Sequence, residues 1–161
     1  MVPVAFRNLN EEQYQMLLDA VPNIVVLIAG ADGRIDLKEK KFAEKIIGIR
    51  TYSNHFEVKP FYQELDKNYK NKIEDLITAL PEDTKKRNEQ ISKYLSIVNT
   101  VIAKLPLRLA AQMYSSYLSL AEHVAKASGG ILGMMAVNVD EHEWVGLPML
   151  DPVFYDEYEE E

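Results

Sequence analysis

The sequence predicts an all-α fold, and three observations carry that prediction. Apolar residues recur at i, i+3, i+4 and i+7 in five separate stretches of the 161-residue chain. No strand-like alternation of any length competes with them. Pro60, Pro81 and Pro106 sit where a helix begins its first turn, a position that tolerates a missing amide proton. The expectation is a single-domain bundle of about six or seven helices over residues 1–150, followed by an acidic tail over 151–161.

The first stripe is Tyr14, Leu17, Leu18, Val21 and Val25, and Pro22 is expected to kink or restart this helix by removing a backbone donor. Phe42, Ala43, Ile46, Ile47 and Ile49 form the second stripe. Leu65, Tyr69, Ile73, Leu76, Ile77 and Leu80 form the third, stopped by Pro81. The fourth holds Ile91, Tyr94, Leu95, Val98, Ile102 and Leu105 and ends before Pro106. Met113, Tyr117, Leu120 and Val124 make the fifth, which stops at Ser128-Gly129-Gly130. Arg50 to Lys59 is the least regular part of the interior. It separates no domains, because the stripes on either side need each other to be covered.

Between the first two stripes lies ADGRIDLKE, residues 31–39. Asp36 with Glu39 three residues on is a capping box: the aspartate accepts from early helix amides and the glutamate reaches back to the cap's own amide. Gly33 suits a turn with positive φ, and Ile35 is expected to point inward. Set against the calcium loop D-x-[DN]-x-[DN]-G-x-I-x-x-x-E, Asp32, Gly33, Ile35, Asp36 and Glu39 fall on the fifth, sixth, eighth, ninth and twelfth positions. Ile28 and Gly30 stand where the first and third oxygen ligands belong, so the loop supplies at most half of a calcium site.

An apolar helix running into ADGRIDLKEKKF resembles the signature of the tellurite-resistance TerB-like family, seen also in the N-terminal part of membrane-anchored DnaJ-like co-chaperones. The resemblance implies an all-helical fold in a bacterial protein, with links to metal-ion binding and oxyanion stress. It also suggests a pseudo-repeat over residues 118–144, in which Asp140 matches Asp36 and Glu143 matches Glu39. The second copy has Ser128-Gly129 in place of Asp-Gly and a longer turn before Asp140. The candidate metal ligands are therefore Asp32, Asp36, Glu39, Asp140 and Glu143. His123 and His142 join them if the two repeats face each other, and that mixed N/O set would suit zinc, manganese or nickel better than calcium. The bland reading of both histidines is an ordinary surface position.

Composition narrows the function classes. With no cysteine, disulfides, cysteine-based zinc sites and cysteine nucleophiles are excluded. Six acids in residues 151–161 leave 19 acids against 18 bases in residues 1–150, so the body lacks the basic footprint of a nucleic-acid binder. The longest apolar runs, 24–31 and 129–137, fall short of the roughly 20 residues that span a bilayer. No signal peptide is evident, and a cytoplasmic location is expected. No P-loop, dinucleotide fingerprint, G-x-S-x-G or HExxH is present. The apolar stretch 131–139 is expected to fold back over the bundle, and the tail to be a solvated end. The leading expectation is a non-enzymatic module that binds a protein partner, with a divalent cation as candidate ligand. A structural interaction domain without ligand and a metal-dependent enzyme are the alternatives.

Overall fold

A helix that is apolar on every side has to lie in the middle of its neighbours, and the second half of helix α1 (Glu11–Ala29) is such a stretch. Every residue from Ala20 to Ala29 is buried. The structure is a computed structural model that describes residues 2–31, 35, 37–51, 58–127 and 144–155, with backbone only for 37–39. After a 3-10 turn at Val4–Phe6 and α1 come α2 (Leu37–Arg50), α3 (Lys59–Ala79), α4 (Thr84–Ile102) and α5 (Leu107–Ala127). Helix α1 packs against all four others, and α2 also packs on α3 and α5. The described residues thus form an all-α, single-domain bundle of five α-helices without strands.

The stripes largely become the core. Tyr14, Leu17, Leu18, Val21 and Val25 are buried, as are Leu65, Tyr69 and Ile73, and so are Leu95, Val98, Met113, Tyr117 and Val124. Two expectations fail. Pro22 does not restart α1, which runs through it. The Asn23 side chain, itself buried, donates to the Asp19 carbonyl at 2.8 Å and supplies a bond beside the missing amide. Ile49 is 61% exposed, because the inner arc of α2 is Ala43, Ile46, Ile47 and then Arg50. That arc is the i, i+3, i+4, i+7 set, and its last member is a cation. The count of six or seven helices is met by five among the described residues; the Pro22 break is absent, and the turn and cap of the second repeat lie outside them.

Helix starts follow local chemistry that the composition only hints at. Asn10 and Gln13 form a reciprocal capping box on α1, with bonds of 2.8 and 3.0 Å. Asp83 caps α4 by accepting from the Lys86 amide at 3.0 Å. Pro60 is the second residue of α3, within its first turn. Pro106 stands one step outside α5, its carbonyl accepting the Ala110 amide at 2.9 Å. Pro81 lies ahead of the Asp83 cap and only ends α3.

Two features position the site. Phe6, Tyr14 and Phe61 form a ring cluster with centroids 5.1 to 6.1 Å apart, and Phe61 meets Tyr62 edge-on at 5.3 Å. This fixes the start of α3 and with it the Tyr62 hydroxyl. The segment after Trp144 is tied to α4 and the core by Asn99, which donates to the Met149 carbonyl and accepts the Asp151 amide, both at 2.9 Å. Leu147 takes a φ of 46°, a left-handed conformation unusual for a side chain with a Cβ, and its complete burial offsets that strain. Val153 packs against the core, while Phe154 beside it is 82% exposed.

Candidate functional site

The sequence-predicted ligands are not assembled among the described residues. Asp32, Asp36, Asp140, His142 and Glu143 lie outside them, as does the Glu39 side chain. The apolar stretch 131–139 lies outside them as well. Helix α2 begins at Leu37, so the capping position read for Asp36 falls immediately before its first residue. His123 is exposed on α5, with Nδ1 donating to the Ser119 carbonyl one turn back at 2.6 Å. No group of three or more His, Asp or Glu able to hold a metal occurs among the described residues.

At the end of α1 lies a buried cation. Arg87 of α4 is 6% exposed, and its Nη2 donates to the Gly30 carbonyl at the end of α1 at 2.5 Å. A guanidinium there complements the negative end of the helix. It also raises the cost of placing a second cation at the root of the loop.

The second cationic position is the last residue of the α2 inner arc. Arg50 Nη1 donates to the Tyr62 hydroxyl at 2.8 Å, to the Ser116 carbonyl at 3.0 Å and to Ser116 Oγ at 3.1 Å. Its Nη2 donates to Ser119 Oγ at 3.1 Å. The guanidinium carbon lies 5.3 Å from the centre of the Tyr62 ring, a cation–π contact, and Tyr62 and Ser116 share a further hydrogen bond. Every one of these partners is neutral. Arg50 is held rigidly, with its charge uncompensated by any carboxylate among them.

This network forms the floor of a cleft of about 470 Å³ between α2, α3, α5 and the C-terminal segment. Gln112, Ser115, Ser116 and Ser119 present polar groups from α5, and Arg108 stands at the same cleft one turn earlier. Val58, Ala111, Val153 and Phe154 supply apolar walls. No aspartate or glutamate among the described residues lines it. Gln112 Oε1 is buried with no hydrogen-bond partner among the described residues, although a buried amide end is ordinarily satisfied.

Sequence reasoning missed this site. A signal was available: residues 112, 115, 116 and 119 follow the i, i+3, i+4, i+7 spacing, a polar stripe beside the apolar stripe of α5. No helix among the described residues is long and apolar enough to cross a membrane. No protein-family model, curated protein or solved structure matches the chain.

Proposed function

We propose that this protein is a non-enzymatic helical binding module whose ligand or partner presents an oxyanion to the Arg50 cleft. One observation carries the reading: two guanidinium groups and a stripe of hydroxyls line a cleft in which no carboxylate among the described residues balances them. A unit charge about 4 Å from an oxyanion is worth about 4 kcal/mol at an effective dielectric of 20, ample for recognition. Isothermal titration of the full chain with inorganic phosphate tests it. Arg108→Gln is expected to weaken binding about tenfold or more, the loss of one charge-assisted hydrogen bond. Affinity should fall with added salt. Absence of binding below about 10 mM overturns the reading, since it leaves less than about 3 kcal/mol to explain, and so does an unchanged affinity in the variant, since the cleft guanidinium then takes no part.

A second reading is favoured by the TerB-like pattern of residues 31–42 and by the start of α2 at Leu37. In it the loop holds a divalent cation, in bacterial stress physiology of the tellurite or oxyanion type. Calorimetric titration with calcium, magnesium, manganese and zinc separates capping from ligation. As a cap, Asp36→Asn keeps its side-chain oxygen and stability is retained, while Asp36→Ala costs about 1 kcal/mol. As a ligand, Asp36→Asn loses the metal with apo stability intact. Wild type that takes up none of these ions below millimolar concentration rules the cation out.

A further inference from the structure

We infer that the ligand of the Arg50 cleft is a phosphate monoester carrying a flat apolar group, in the simplest case an aryl phosphate. The inference rests on the reading of this cleft as an oxyanion site and adds the class of molecule that enters it.

The size of the cleft is the first argument. At roughly 30 Å³ per heavy atom on the scale of water, an inorganic oxyanion occupies on the order of 150 Å³. The cleft measures about 470 Å³, within the range of pockets that hold whole small molecules. An isolated ion leaves most of it unfilled.

The division of its walls is the second. The polar groups come from Arg50 and from the α5 stripe, whereas Val58, Ala111, Val153 and Phe154 present carbon. Phe154 is 82% exposed, yet the backbone that carries it is fixed on both sides of Asp151 by the Asn99 bonds and the packing of Val153. A ring held in solvent by an anchored backbone is a ready stacking surface for a second flat group.

The charge of the cleft favours a phosphate monoester over a carboxylate. The Arg50 fork is already engaged by Tyr62, Ser116 and Ser119, and its charge remains without a carboxylate among those partners. Arg108 and the Ser115 hydroxyl add a second cation and a separate donor along α5, more than a single carboxylate uses. Three terminal oxygens of a tetrahedral dianion take donors from several directions, and two guanidinium charges match its charge.

Titration of the full chain with inorganic phosphate, phenyl phosphate, benzoate and phenol tests the proposal. Phenyl phosphate is expected to bind at least tenfold more tightly than phosphate or benzoate, and phenol not measurably. Phe154→Ala should bring the ratio of phenyl phosphate to phosphate affinity close to one. A phosphotyrosine peptide serves as a further arm. Binding well above that of phenyl phosphate assigns the ester to a protein partner; equal or weaker binding assigns it to a free small molecule, and both support the aryl phosphate. If phosphate and phenyl phosphate bind equally, or benzoate matches phenyl phosphate, this inference is overturned while the oxyanion site stands. If none of the four binds, both fall.

Discussion

Raising the pH above about 10 is expected to unfold this protein over a narrow interval, because its core is built around tyrosines that cannot ionise in place. Tyr14, Tyr69 and Tyr117 are almost wholly buried. Burial pushes each hydroxyl well above the ordinary tyrosine value, and Glu64 beside Tyr14 and Glu44 beside Tyr69 push in the same direction. Tyr117 donates to the Leu17 carbonyl at 2.8 Å, so its ionisation would also cost that bond. In the unfolded chain the three groups lose their protons near pH 10, while in the folded chain they keep them. The unfolded state then binds fewer protons, and stability falls as pH rises. It is unaffected below about 10 and lost above, at about 1.4 kcal/mol per pH unit for each group, roughly 4 kcal/mol per unit together. Against a typical total of about 5–15 kcal/mol, a few pH units suffice. Circular dichroism and ultraviolet titration should show helix loss and tyrosinate appearing together. All nine tyrosinates formed near pH 10 with the helix intact would refute this account. Tyr69→Phe should move the transition upward without loss at neutral pH, since its hydroxyl has no partner among the described residues.

Gly30→Ala is expected to be the most damaging single methyl group that can be added at the head of the ADGRIDLKE loop. The residue has a φ of −108°, so no conformational privilege of glycine is at stake. The difficulty is space. A Cβ there would lie 2.7 Å from Arg87 Nη2, 2.9 Å from the Val26 carbonyl oxygen and 3.2 Å from Ile35 Cγ1. The carbonyl belongs to α1 and cannot yield. Nor can the guanidinium withdraw without giving up the Gly30 carbonyl and leaving a buried charge with fewer partners, when its Nε already has none among the described residues. Overpacking of this kind costs about 1–3 kcal/mol, and the displaced charge puts the expected loss at the upper end, about 3 kcal/mol. For a chain of this size that lowers Tm by on the order of 10 °C. A double-mutant cycle with Arg87→Met supplies the control: with the guanidinium gone, the same alanine should cost markedly less. Equal costs in both backgrounds would place the strain elsewhere.

How far the sequence could be read depended on what kind of signal each residue sends. Residues that need only to be apolar on one face announced themselves: Leu17, Val25, Leu65, Leu95 and Val124 repeat at helical spacing and all became core. Ile49 shows the limit, since its neighbours satisfied the period and it was counted with them although Arg50 holds the inner position. Pro22 was read by its local rule, which the surrounding burial of α1 overrides. The Arg50 cleft was invisible for a different reason. Arg50, Tyr62, Ser116 and Ser119 come from three helices, and a charge balanced by neutral hydroxyls 12 to 69 positions away leaves no contiguous motif. The ADGRIDLKE loop, by contrast, has a contiguous pattern, and the reading of it extends beyond the described residues.

The central place of α1 also bears on how the chain is made. This helix is synthesised before α4 and α5, yet those are among the helices that cover it. At about 5–20 residues per second, the run from Ala20 to Ala29 waits several seconds for α5 to leave the ribosome. Until α4 is made its apolar surface has only α2 and α3 for shelter. A nascent chain arrested after residue 83 should therefore present a chaperone-binding segment that the finished protein hides. The same order of events makes the first of the five described helices the last to be sealed.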